Sequence, residues 1–140
     1  MNPIDCVMVI EDDELDRQVF VRVFAKLLPD AFVLEASDGE AALALLDAPG
    51  VPAPDIVFLD LQMPRMGGPE FLERYRERTG RAAPPVVVLS ASDAAEDRAI
   101  ADRFDCVRDY LVKPLDREAA ALQLVDPAPE PEPTALPRAA

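Results

Sequence analysis

The chain has 140 residues, half of them apolar and 29% charged, with a formal net charge of −13. That size and balance describe one ordinary domain with a buried core, and the acidity argues against nucleic acid or an anionic membrane as a direct partner. No run approaches the ~20 apolar residues of a spanning helix, MNPIDCVMVIEDDE lacks the basic flank of a signal peptide, and Cys6 and Cys106 are too few and too far apart for a disulfide framework or zinc site; a reducing cytoplasm is expected.

In chain order, CVMVI (6–10) is the first of five short runs of β-branched and large apolar residues. ELDRQVFVRVFAKLL (14–28) follows, with Leu15, Val19, Val23 and Leu27 at four-residue intervals, Phe20, Phe24 and Leu28 beside them, and Arg17, Arg22 and Lys26 on other faces. That pattern predicts an amphipathic helix. FVLEA (32–36) reads as a second strand, and SDGEAALALL (37–46) as a helix opening on the polar residues Ser37 and Asp38. The three prolines of DAPGVPAPD (47–55) mark a loop before the third strand, IVFLD (56–60), which ends on an acid. PEFLERYRER (69–78) opens a helix on proline, PVVVLS (85–90) is the fourth strand, and DAAEDRAIADRF (93–104) predicts a largely exposed amphipathic helix. YLV (110–112) and the brief DREAAALQLV (116–125) close the series. From residue 126, DPAPEPEPTALPRAA is acidic and Pro-rich with little to bury, so a disordered or extended tail is expected, and no output domain after it.

Unbroken apolar runs indicate strands buried on both faces, as parallel strands are. Strands alternating with helices give right-handed crossovers. The expected fold is α/β: a doubly wound five-stranded parallel sheet, order 2-1-3-4-5, flanked by five helices. Its ligand site lies at the carboxyl ends of strands 1 and 3, the topological switch point.

The residues at those ends carry chemistry. Glu11, Asp12 and Asp13 follow strand 1, Asp60 ends strand 3, Ser90 ends strand 4 and Lys113 follows strand 5. Taken singly, each has a plain reading as a cap, loop or solvated residue. Four strand ends supplying complementary groups is a different matter. Clustered carboxylates raise one another's pKa unless a cation sits among them, and Mg²⁺, a hard ion that keeps open coordination sites, suits such a cluster. Asp60 could then act as a nucleophile toward phosphorus, giving an acyl phosphate. Lys113 and the Ser90 hydroxyl would share the charge of the transferring group with the metal.

VMVIEDD, IVFLDLQMPRMGG, VVVLSAS and DYLVKPL, in that order across residues 4–125, resemble the receiver domains of two-component response regulators, the CheY-like family. The resemblance implies a receiver over 1–125 and a tail over 126–140. Asp60 would be the phosphoacceptor and Lys113 the conserved-type lysine, preceding a cis proline. Ser90 and Tyr110 would be the switch pair. Glu11 and Asp12 would be the acidic pair, Asp12 binding the metal directly and Glu11 largely through water, with Asp60 and the Gln62 carbonyl completing the set; Asp12 with Asp13 is the alternative pairing. Such a protein catalyses only its own phosphorylation and dephosphorylation. Its partners would be a sensor histidine kinase or histidine phosphotransfer protein and a downstream protein target, with no nucleic acid or membrane. It would be a monomer or a phosphorylation-dependent dimer. Gln62 and Ser92 would flank an attacking water.

Two features depart from the family pattern: Gly67 before Gly68, which predicts a looser turn, and FDCVRDY (104–110) ahead of the last strand. Two other readings compete. A haloacid-dehalogenase-like phosphatase also uses an Asp nucleophile, but on its first strand and with an acid where this chain has Gln62. A pseudo-receiver would keep the fold as a binding module without being phosphorylated.

Overall fold

The five apolar runs assemble as one parallel sheet in the order β2-β1-β3-β4-β5. The computed structural model describes residues 4–63, 66–79 and 84–124. The expected tail lies outside the described residues, as do Pro64 and Arg65 of the turn after Asp60. The elements are β1 (Cys6–Ile10), α1 (Glu14–Leu27), β2 (Phe32–Ala36), α2 (Gly39–Asp47), β3 (Ile56–Asp60), α3 (Gly68–Thr79), β4 (Val86–Ser90), α4 (Ala95–Asp102), β5 (Val107–Val112) and α5 (Arg117–Leu124).

Side chains alternate across the sheet and supply two cores. Met8, Ile10, Val57, Leu59 and Val88 face Phe71, Leu72 and Tyr75 of α3 and Ala42 of α2. Val7, Val9, Phe58, Val87 and Leu89 face Phe20 and Phe24 of α1 and Ala120 and Leu124 of α5. The Phe24 and Phe58 rings meet at 4.6 Å between centroids. Burial on both faces holds for β1, β3 and β4, every residue of which is buried. It fails for the edge strands β2 and β5, where Phe32 is 63% exposed, because an edge strand has a neighbour on one side only.

The face of α1 also differs from the four-residue stripe. Phe20 and Phe24 are buried, whereas Leu15 is 75% and Val19 48% exposed. At 3.6 residues per turn, each four-residue step advances about 40° around the axis, so the line drifts from the exposed Leu15 and Val19 to Val23 and Leu27, which pack against the core. β5 begins three residues earlier than YLV, since Arg108 and Asp109 sit on a solvent edge and mask the strand pattern. A register jump from Val86↔Val107 to Val87↔Asp109 leaves Arg108 as a bulge, its Nη2 donating to the Gln123 carbonyl at 2.6 Å.

Candidate functional site

β1 and β3 are neighbours in register, Ile10 opposite Leu59, so the next residues, Glu11 and Asp60, emerge side by side at the carboxyl edge. Glu11 N–H donates to the Ala36 carbonyl (3.0 Å), extending the pairing with β2 by one residue and fixing the backbone from which Asp12 departs. Carboxylate oxygens of Glu11, Asp12 and Asp60 all lie within 4.8 Å of one another. Glu11 and Asp60 are buried and Asp12 is exposed. Asp13 is occupied differently: it is the N-cap of α1, and its carboxylate accepts from Asp16 N–H at 2.9 Å. The geometry therefore groups Glu11 and Asp12, not Asp12 and Asp13, with Asp60.

Lys113 reaches the cluster from the end of β5. Its backbone N–H donates to the Ser90 carbonyl at 2.8 Å, and the bond to Pro114 is cis. The ammonium lies 2.6 Å from Glu11 Oε1, 3.4 Å from Asp16 Oδ2 and 3.7 Å from Asp60 Oδ1. Burial alone would lower the lysine's pKa, but Glu11, Asp60 and Asp16 outweigh it and hold it above its ordinary value. Asp60 moves up to about 7, first through burial and then through the neighbouring Glu11 charge, against the opposing pull of Lys113 and of Gln62 N–H at 3.3 Å. One ammonium is too little cation for this many acids. The donors are all oxygen and one edge is open to solvent, which fits a hard divalent ion. The acidic triad is thus able to hold a metal.

Ser90 is fully buried at the end of β4, one residue beyond Leu89, the register partner of Asp60. Its Oγ accepts from Ser92 N–H (3.1 Å), and Ser92 Oγ accepts from Ala94 N–H (3.0 Å), so the loop into α4 is tied by successive hydroxyls. Among the described residues the Ser90 O–H donates to no partner, leaving its proton available to a new acceptor. Tyr110 is turned inward and buried; its hydroxyl donates to the Ser92 carbonyl at 2.6 Å, and the Arg98 guanidinium sits 4.6 Å from its ring centroid.

Residues 7–124 match the response regulator receiver domain. This chain belongs to that family. It is 37% identical over 109 residues to the Regulator of RpoS of Escherichia coli K12, covering 78% of this chain but spanning only 30% of that protein's length. Among solved structures, a two-component response regulator from Cytophaga hutchinsonii superposes with a TM-score of 0.75 at 26% identity, covering 87% of this chain and 93% of the other. The Mn²⁺-bound form of response regulator Rcp1 superposes with a TM-score of 0.66 at 26% identity, covering 86% and 88%.

Two residues of this receiver's site carried no signal in the sequence. Asp16, in the first turn of α1, reads as an acid complementing the helix N-terminus, yet it is the second partner of Lys113. Arg17 donates from Nη1 to the Glu11 carbonyl (2.8 Å) and pairs with Glu35 (3.2 Å), bracing the β1–α1 turn that presents the acids. Gln62 is exposed, and its backbone N–H, not its side chain, meets Asp60. Gly68 packs directly against Leu61. Gly68 N–H donates to the Leu61 carbonyl (2.9 Å), and a Cβ at Gly68 would stand 2.7 Å from Leu61 Cα. Gly68 is there for close approach, not for looseness.

Proposed function

We propose that this receiver accepts a phosphoryl group on Asp60 and uses it to reshape the surface around α4 and β5. The observation that carries the reading is the placing of one ammonium, Lys113, between Glu11 and Asp60 beside an acidic triad on a buried strand end. An Asp60 carboxylate oxygen attacks phosphorus in line with the leaving atom; the new O–P bond forms as the bond to the donor's leaving group breaks, and that group departs with the electron pair. A histidine kinase or phosphotransfer protein is the donor that family membership implies. Lys113 turns from Glu11 toward the transferred group's oxygens, and the Ser90 O–H is free to donate to another. A divalent ion, Mg²⁺ in the cell, would be held by Glu11, Asp12, Asp60 and the Gln62 carbonyl and would neutralise charge on the pocket and the phosphoryl group; the Mn²⁺-bound form of Rcp1 supports this.

The output follows from the hydroxyl chain. Phosphorylation adds roughly 1.5–2 negative charges and three strong acceptors at Asp60. Ser90 drawn toward them releases Ser92 N–H, and the Ser92 carbonyl is the acceptor that holds the Tyr110 hydroxyl. The state of Asp60 is thus linked to the β4–α4 loop and Tyr110, a two-state element that phosphorylation biases. A downstream protein reads that face. The phosphatase reading loses its footing, since Asp60 lies on the central β3 and Gln62 supplies no acid.

Incubation with acetyl phosphate and Mg²⁺ tests the proposal. The expected result is a single phosphoryl adduct by intact mass, removed by hydroxylamine and absent from Asp60→Asn. Absence of any adduct would make the domain a binding module, and multiple turnover of a small phosphomonoester would make it a phosphatase.

A further inference from the structure

α4 is lightly anchored. It has eight residues, of which only Ala101 is buried, and its N-cap, Ala94, gives the helix no side-chain bond. So short a helix does not hold itself together in water. Its position depends on what ties it to β5 and to the loop after β4.

Arg98 makes both ties. Its guanidinium lies 4.6 Å from the Tyr110 ring centroid, and its Nε donates to Asp93 Oδ1 at 2.5 Å. Asp93 adjoins Ser92, whose carbonyl accepts from the Tyr110 hydroxyl at 2.6 Å. The tyrosine is therefore held twice by one loop: its hydroxyl directly, and its ring through a cation that the loop keeps in place. The ion pair is exposed on both sides, 49% and 61%, and by itself contributes little. Its use is to set the guanidinium against the ring, where a cation is attracted to the aromatic face.

We propose that Arg98 is a positioning residue of the switch: it clasps Tyr110 in its inward seat, and that seat is the one a phosphorylated site selects. The proposal rests on Asp60 being the phosphoacceptor. With Tyr110 inward, the Ser92 carbonyl is satisfied, and among the described residues the Ser90 O–H is committed to no acceptor. An outward Tyr110 leaves that carbonyl without its donor. The Ser90 hydroxyl, already bonded to the N–H of the same residue, then becomes a competing donor to it and is drawn away from Asp60. An inward Tyr110 and an available Ser90 proton go together, so a phosphoryl group that takes that proton favours the inward state. Arg98 acts on Asp60 only through Tyr110, Ser92 and Ser90. Removing its charge lowers the inward fraction, and the apparent affinity for a phosphoryl group falls with that fraction.

Tyr75 and Tyr110 are the two tyrosines of the chain, so 3-fluorotyrosine labelling gives two ¹⁹F signals, assigned with Tyr110→Phe. Titrating the full chain with Mg²⁺ and beryllofluoride, a stable mimic of a bound phosphoryl group, reads the Tyr110 seat and the site's affinity together. Arg98→Met keeps an unbranched side chain that suits a helix and removes the charge. Without beryllofluoride, its Tyr110 signal should lie further than native from its own saturated position. Its affinity should fall by up to about fivefold, the scale of an exposed cation–π contact, and by the same factor as the inward fraction. Arg98→Lys should retain most of the native affinity, and Asp93→Asn should fall between native and Arg98→Met. If native protein responds to beryllofluoride and Arg98→Met matches it in both readouts, the clasp is overturned while the phosphoacceptor reading stands. An affinity loss with an unmoved Tyr110 signal would also overturn the clasp. Native protein that binds no beryllofluoride would overturn both.

Discussion

Lys113 Nζ is 2.6 Å from Glu11 Oε1 and 3.7 Å from Asp60 Oδ1, so the lysine's first partner is the buried glutamate and not the proposed phosphoacceptor. It is the cation that makes a 1%-exposed Glu11 tolerable. Among the described residues, Lys113→Met would leave that carboxylate with only the Asp13 N–H at 3.1 Å. The expected loss in metal-free protein at about pH 8 is ~1–3 kcal/mol, read from urea unfolding. Mg²⁺ should recover part of it. The variant's Mg²⁺ affinity should rise relative to native, because the metal no longer competes with the ammonium for Glu11; an unchanged affinity would contradict this account.

The raised pKa of Asp60 sets the pH behaviour. Its folded value, about 7, exceeds the ordinary 3.8, so the folded state holds a proton that the unfolded chain has released between those values. This contribution is fully present below about pH 4 and is lost as pH rises through 7. Metal-free stability should therefore fall across that window from this group, by no more than about 4 kcal/mol. Mg²⁺ displaces the same proton, so its stabilisation should grow with pH, with affinity rising nearly tenfold per unit below about pH 7. Asp60→Asn removes the charge outright. It should raise the metal-free melting temperature at about pH 8 and abolish most of the gain from Mg²⁺, both read by calorimetry; a metal-free variant less stable than native at that pH would contradict the sign.

The sheet and its order were legible because β1, β3 and β4 are buried on both faces and so read as unbroken apolar runs. The acids were legible for a related reason: a carboxylate directly after such a run has nowhere to go but the sheet edge. Edge strand β5 was shortened because Arg108 and Asp109 answer to solvent and to Gln123, not to a core. On α1 the expected apolar face holds at Phe20, Val23, Phe24, Leu27 and Leu28, and fails at Leu15 and Val19 because a four-residue repeat drifts around the helical pitch. Asp16 was invisible because its partner is 97 residues away, and no local pattern separates a dipole-complementing acid from one aimed at a lysine.

That acid has a kinetic consequence. Asp16 is about half exposed and draws the Lys113 ammonium away from Asp60. Asp16→Asn removes a competing partner and one negative charge from the approach to an anionic phosphodonor. At the roughly 0.5–1 kcal/mol of an exposed pair, phosphorylation by acetyl phosphate should accelerate about two- to fivefold, with stability nearly unchanged. Intact-mass time courses at fixed Mg²⁺ measure it, and a slower variant would assign Asp16 a positioning role instead.

The two glycines after the Asp60 turn separate close packing from flexibility. A methyl at Gly67 would meet nothing nearer than 3.8 Å, whereas one at Gly68 would stand 2.7 Å from both Leu61 Cα and Leu61 Cδ2. Backbone atoms cannot swing aside as a side-chain tip can, so α3 would have to lift from the turn that follows Asp60. Gly68→Ala should destabilise by about 1–3 kcal/mol and weaken Mg²⁺ binding, because Gln62 lies inside the displaced turn. Gly67→Ala should change the urea midpoint little and leave Mg²⁺ affinity native. Equal effects of the two substitutions on denaturation and metal titration would mean that the turn is governed by backbone freedom and not by its contact with Leu61.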